Sequence, residues 1–189
     1  MGILIVVVLS AGYIINNMAG TTVTNINMEG NTYSGDGVSF NVPPNWQVSK
    51  IVDGSTINID ITKNNPIVDF LSNSTNYNPN NDTTKITIAV SPIPKGISNQ
   101  NVIDMIQNPQ NQGNYQKISN NTLTVDGVTA YETLFRVNDS SISREILTSE
   151  EINFNKNGNT YGLIFQAPEN TFNQEKENFN ITLNSFKVL

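Results

Sequence analysis

Two dipeptides, Asp126-Gly127 and Asn157-Gly158, constrain this chain more than any other feature. Each sits inside a long stretch rich in β-branched and aromatic residues, "NTLTVDGVTAYETLFRV" and "EEINFNKNGNTYGLIFQAP". Asp-Gly and Asn-Gly accept the positive φ angles that two-residue I′ turns require, so both stretches read as hairpins. Between them "NDSSIS" turns the chain again. Four consecutive strands then form an antiparallel meander.

Upstream, alternation predicts strands over Thr32–Val42, Trp46–Val52, Thr56–Thr62 and Lys85–Pro92. In "KITIAVSPI" the residues Ile86, Ile88 and Val90 share one face. A helix starts at Ser98 or Asn99, packs Val102, Ile103 and Ile106 inward, and stops at Asn108-Pro109. A second helix closes the chain. Thr171 and Gln174 have the spacing of a capping box, and Glu169 lies just upstream, where the helix dipole favours negative charge. Phe172, Phe179, Leu183 and Phe186 recur at spacings of 7, 4 and 3, one stripe of that helix, which leaves Gln174, Lys176 and Asn180 to face water. The expected class is α+β, with a mainly antiparallel sheet.

The stretch "GVSFNVPPNW" contains the only tryptophan. Pro43 and Pro44 cannot donate to a sheet ladder, and Asn45 suits a turn. Trp46 has two readings, an aromatic platform for a ligand or a core anchor sealing one end of the sheet. The core anchor is the better match to its place at the start of a strand.

Residues 3–15 are strongly apolar, and no charged side chain appears before Glu29. A full bilayer span of about 20 residues is reached only by counting Asn16 and Asn17. A signal peptide wants a basic leader and a small-residue cleavage site, and neither is clear. A buried strand does not account for so long an apolar run. A membrane anchor over residues 1–20 fits best, followed by a tether over 21–31 and a folded domain over 32–189.

With a net charge of −6 and ten basic residues, the chain lacks the basic footprint of a nucleic-acid binder. Cysteine and histidine are both absent. Disulfides, thiolate chemistry, histidine triads and histidine or cysteine zinc sites are therefore excluded. Among 32 asparagines, N-x-S/T sequons fall at Asn73, Asn81, Asn120, Asn138 and Asn180, the last on the closing helix and the least suited to glycan attachment. The alternation Asn76, Asn78, Asn80, Asp82 lacks the glycine and glutamate of a calcium loop. Glu150 and Glu151 are adjacent on a strand, so they point to opposite faces and cannot form a carboxylate dyad; their run reads as solvent-facing. Ser140, Ser141 and Ser143 lack a base, Lys156 stands beside a turn, and no phosphate-binding or nucleophile-elbow motif is present. No catalytic, cofactor or metal residue is predicted.

Taken together, "GVSFNVPPNW", "ITIAVSPIP", "VDGVTAYETLF" and the closing strand, helix and Ser185-Phe186-Lys187 resemble the PsbP-like family, of the Mog1/PsbP fold. The resemblance covers roughly residues 31–189, and none of its motifs is catalytic. It implies an antiparallel sheet with helices on both faces. The family's photosystem member helps retain calcium and chloride at a manganese cluster. That role does not carry over, since no matching contact segment is present. Mog1, an intracellular partner of a small GTPase, fits poorly with an apolar N-terminus. The chain looks more like membrane-tethered prokaryotic relatives, archaea among them.

The function these readings favour is a membrane-tethered, extracytoplasmic, non-catalytic domain that binds or scaffolds a protein partner. A cell-surface small-molecule or glycan binding module and a hydrolase of unrecognised type are the alternatives. No cofactor or nucleic acid is expected, and the lipid bilayer is engaged through residues 3–20. Full-length protein should sediment with membranes and resist carbonate extraction, and a chain starting near Asn31 should be soluble; a soluble full-length monomer would reject the anchor.

Overall fold

The computed structural model describes residues 22–28, 30–63, 84–107, 113–138, 143 and 145–189. The apolar N-terminus, the loop carrying Asn73, Asn81 and the Asn76–Asp82 alternation, Asn108-Pro109, and the serines at 140 and 141 lie outside the described residues. In chain order the elements are β1 (Thr22–Ile26), β2 (Thr32–Gly35), β3 (Val38–Asn41), β4 (Gln47–Asp53), β5 (Thr56–Thr62) and β6 (Lys85–Pro92). They continue with α1 (Asn99–Gln107), β7 (Tyr115–Val125), β8 (Val128–Val137), β9 (Leu147–Lys156), β10 (Asn159–Pro168), α2 (Phe172–Ser185) and β11 (Lys187–Val188).

Eight strands form an antiparallel sheet in the order β1-β4-β5-β6-β10-β9-β8-β7, and β11-β3-β2 form a second, small one. The meander is present: β7 pairs β8, β8 pairs β9, and β9 pairs β10. At its two hairpins Asp126 and Gly127 have φ of 46° and 80°, and Asn157 and Gly158 have 49° and 77°, the signature of I′ turns. The same chemistry recurs at Asp36 and Gly37, with φ of 51° and 77°. Thr32–Val42 is therefore not one strand but the hairpin β2–β3. A continuous strand would leave no place for two successive positive φ angles.

The segment read as a tether also differs. Thr22–Ile26 is a strand, β1, which pairs β4 from Thr22 opposite Val52 to Ile26 opposite Val48. Its alternation is too short and too polar to stand out from sequence, and the pairing surface comes from β4.

The core lies between the large sheet, the small sheet and α2. Phe165 of β10 receives Phe172 and Phe179 of α2, with ring centroids 4.9 and 5.2 Å away. Phe186, just past α2, stands 6.3 Å from Phe40, 5.9 Å from Phe154 and 6.2 Å from Tyr161. Leu183 is half-buried against this cluster, and Thr182 is fully buried. Thr182 Oγ1 donates to the Asn41 carbonyl (2.9 Å), and Ser185 Oγ accepts the Asn41 N–H (2.8 Å). These two bonds satisfy the open end of β3.

Two details of the closing helix depart from expectation. Thr171 makes no side-chain cap, because its Oγ1 donates to the Pro168 carbonyl instead. Lys176, expected in water, reaches back over the sheet to Glu150 at 3.0 Å. At the start of α1, Ser98 Oγ accepts the Asn101 N–H (3.1 Å), and Val102 and Ile106 are buried. Asn155 Nδ2 donates to Asn99 Oδ1 (2.8 Å) from the set of β9 side chains opposite to Ile152 and Phe154.

Phe179→Ala should cost about 3–5 kcal/mol through lost transfer energy and cavity formation. Ile181→Ala, on the exposed side of α2, should change stability by no more than about 0.5 kcal/mol. Urea midpoints for the two variants check the contrast, and equal losses would mean that α2 does not pack through Phe179.

Candidate functional site

The Pro43–Trp46 turn builds one wall of a cleft. Trp46 N–H donates to the Pro43 carbonyl (3.2 Å), and Asn45 has φ of 66°. Pro at the second position and a positive φ at the third define a type II turn, which presents Trp46 at the entry to β4. The ring is half-buried, packs against the core cluster, and also lines a cleft of about 360 Å³. Trp46 thus packs against the core, as its place at the start of a strand favoured, and is also among the residues that line a cleft. Ile26, Met28, Val42 and Val48 supply apolar lining, and Asn25, Asn27, Asn31, Asn45 and Gln47 supply amides. Val42 is fixed by its N–H donating to the Asn31 carbonyl (2.7 Å). None of the described lining residues carries a charge. The contribution of residues 25–31 to this cleft was not legible in the sequence, because it depends on β1 joining the sheet.

The second feature is the face of the large sheet turned away from α2. Register places Ser49, Asp60, Thr87, Ile164, Glu151 and Thr133 in one row across six strands. All six are buried, and only Ile164 is apolar. The expectation that Glu150 and Glu151 face water is therefore corrected. Lys176 of α2 stands over Glu150 on one face of β9, and Asn99 of α1 is bonded to Asn155 on the other; both faces are buried, and the two glutamates with them. Their divergence onto opposite faces holds.

On the buried polar face Thr87 Oγ1 donates to Asp60 Oδ1 (2.5 Å). Burial pushes the Lys85 ammonium below its ordinary range, and the Asp60 carboxylate nearby counters this. Burial also pushes the Glu151 carboxyl up to about 8, partly offset by a hydrogen bond from Ser149. Asp60 and Glu151 are three strand spacings apart, roughly 14 Å, too far to act on one small atom. Ser49 Oγ, Thr62 Oγ1 and Asn153 Oδ1 are buried with no hydrogen-bond partner among the described residues. On the α2 side, burial and a shared hydrogen bond with Glu132 push Glu150 up to about 7, against the pull of Lys176.

Of the glycan acceptors, Asn120 on β7 and Asn138 just after β8 are exposed, while Asn73 and Asn81 lie outside the described residues. Ser143 Oγ accepts the Glu145 N–H (3.0 Å), and Lys156 is engaged by Asp126 (2.5 Å). Asp126 also binds Lys187 (3.3 Å) and the Val188 N–H (3.0 Å). The Lys156 hydrogen bond foremost, with the others, holds the Asp126 carboxyl down at about 2. This cluster pins the β7–β8 turn to the chain's last strand. Among the described residues no three histidine, cysteine, aspartate or glutamate side chains are grouped to hold a metal ion.

An antiparallel sheet carrying its core on a C-terminal helix and a small N-terminal hairpin defines the class of domain. The sequence profile of the PsbP-like protein family matches residues 2–188, and the chain belongs to that family. No curated protein matches it. A crystal structure from Bacteroides thetaiotaomicron is similar at 12% identity and a TM-score of 0.50, covering 86% of this chain and 49% of its own. The solution structure of cyanobacterial PsbP (CyanoP) from Synechocystis has 16% identity and a TM-score of 0.49, covering 92% of this chain and 95% of that one. LpqN of Mycobacterium tuberculosis, described as involved in cell envelope biogenesis, has 11% identity and a TM-score of 0.44, covering 93% and 94%.

The buried Glu151 carboxyl yields a pH prediction. Its folded value of about 8 exceeds its ordinary value of 4.5, so the folded state holds the proton more tightly than the unfolded state. Its contribution to stability is complete below pH 4.5 and is lost as pH rises through about 8. Glu151→Gln keeps the shape and removes the titration. Its melting temperature should match the wild type's at about pH 5 and exceed it by several degrees at about pH 8. Parallel wild-type and variant curves would show that Glu151 does not titrate in this window.

Proposed function

We propose that this PsbP-like domain is a non-catalytic binding domain, held at the outer face of a membrane by residues 3–20, which docks a protein partner along β7, the terminal strand of the large sheet among the described residues. The observation that carries this reading is the shape of that strand. β7 is the terminal strand of the large sheet, and most of its side chains are exposed. Pairing with β8 shifts between Lys117, opposite Phe135, and Ser119, opposite Leu134. Ile118 falls in the shift as the extra residue, and it is 54% exposed. A terminal strand is a place where another chain can add to a sheet. A bulge within it discourages indiscriminate pairing while displaying one apolar side chain to a specific partner.

Two further points support a binding role. Histidine and cysteine are absent from the sequence, and the buried carboxylates Glu150 and Glu151 diverge onto opposite faces of β9. Envelope placement accords with the apolar residues 3–15. Asn120 lies on the same strand as Ile118, so a glycan there would block the edge; docking at β7 requires Asn120 to be unmodified.

The cleft beside Trp46 favours a second reading, a surface module for a small molecule or glycan. A concave site with an aromatic residue and amide-bearing residues in its lining has the general make-up of a ligand site. The partner reading is tested with a photocrosslinker in place of the exposed Gln116, in native membranes. A discrete adduct to one protein should form and should vanish on adding Ile118→Asp, with the melting temperature unchanged. Adducts that persist in Ile118→Asp, or no adduct at all, would remove β7 as the docking edge.

A further inference from the structure

We propose that the cleft beside Trp46 binds a neutral saccharide unit, an inference that rests on the ligand-binding reading above. Three observations on the cleft converge. Its aromatic wall is a half-buried indole, held in place by a type II turn and by packing against the core. Among its lining residues are five that carry amides, Asn25, Asn27, Asn31, Asn45 and Gln47, all of them exposed. The described lining is uncharged, and its volume of about 360 Å³ falls within the range of small-ligand sites.

The chemistry of that lining selects among ligand classes. An anion or cation would enter a site with no opposite charge in its described lining and would lose hydration without compensation. A purely apolar ligand would leave the amides facing a surface that can neither donate nor accept. A sugar ring meets both demands. Its C–H face is apolar and lies flat on an indole, and its hydroxyls both donate and accept. The amide groups of Asn and Gln likewise donate through nitrogen and accept through oxygen. Packing also favours the indole as the anchor, because its position is set before any ligand arrives and little ordering is required on binding. The cleft has room for one or two rings and stands open to longer chains.

Trp46 is the chain's single tryptophan, so intrinsic fluorescence reports on this cleft alone. Full-length protein in a detergent without a sugar headgroup is titrated with cellobiose, maltose and chitobiose, and separately with a neutral hexapeptide of Asn and Gly. At least one disaccharide should give a saturable change in Trp46 emission below about 10 mM. Asn27→Ala combined with Asn31→Ala should weaken that response about tenfold, the loss expected for removed hydrogen bonds, with the melting curve unchanged. No saturable change with any disaccharide overturns the saccharide assignment. A response to the hexapeptide alone also overturns it, while leaving the ligand-binding reading in place. Silence with every probe in folded protein overturns both. An undiminished response in the double variant removes the amides, and with them the proposal.

Discussion

Phe186 holds this structure together. It follows the last turn of α2 and stands between Phe40 of the small sheet and Phe154 and Tyr161 of the large one. Tyr33 extends the stack from β2, with its ring 5.0 Å from Phe40. One aromatic side chain thus joins two sheets that share no backbone pairing. Aromatic pairs at such distances contribute about 0.5–1.5 kcal/mol beyond their buried area. The larger effect is positional. With Phe186 in place, Lys187 and Val188 reach β3, and Asp126 receives Lys187 and the Val188 N–H.

The two faces of the large sheet are stabilised differently. The α2 face is a packed apolar core built from Ile59, Ile61, Ile86, Ile88, Leu163 and Phe165. The opposite face is buried too, yet it carries Ser49, Asn58, Asp60, Thr87, Glu151 and Gln166. Buried polar groups contribute little net stability even when bonded, and each unpartnered one costs about 1–3 kcal/mol. Glu151 limits that cost by keeping its proton at neutral pH. Lys176 limits it on the other face by bringing a cation to Glu150.

Two surfaces remain open once the core is closed. At one end of the large sheet, β1 and the residues after it face the Pro43–Trp46 turn across the cleft. At the other end β7 leaves an edge with Ile118 exposed in its bulge. The first is concave and amide-rich, suited to a small neutral ligand. The second is extended and carries the bulge at Ile118.

Local chemistry determined much of this architecture from the sequence alone. Asp126-Gly127 and Asn157-Gly158 set the hairpins because so few residue pairs tolerate those φ angles. The spacing of Phe172, Phe179 and Leu183 marked the packed side of α2 because helical period depends only on the backbone, whereas Phe186, expected on the same helical stripe, lies past its end in extended backbone. The missing histidine and cysteine removed whole classes of chemistry. Tertiary structure decided the rest. β1 exists because β4 has an edge to offer, and neither the cleft wall nor the amides of residues 25–31 can be seen without it. Glu150 and Glu151 are buried because elements distant in sequence cover both faces of β9, although their charges read as surface residues. Trp46 lines a cleft as well as the core for the same reason. Burial depends on which distant strands arrive on either side, and a local sequence window carries no record of that.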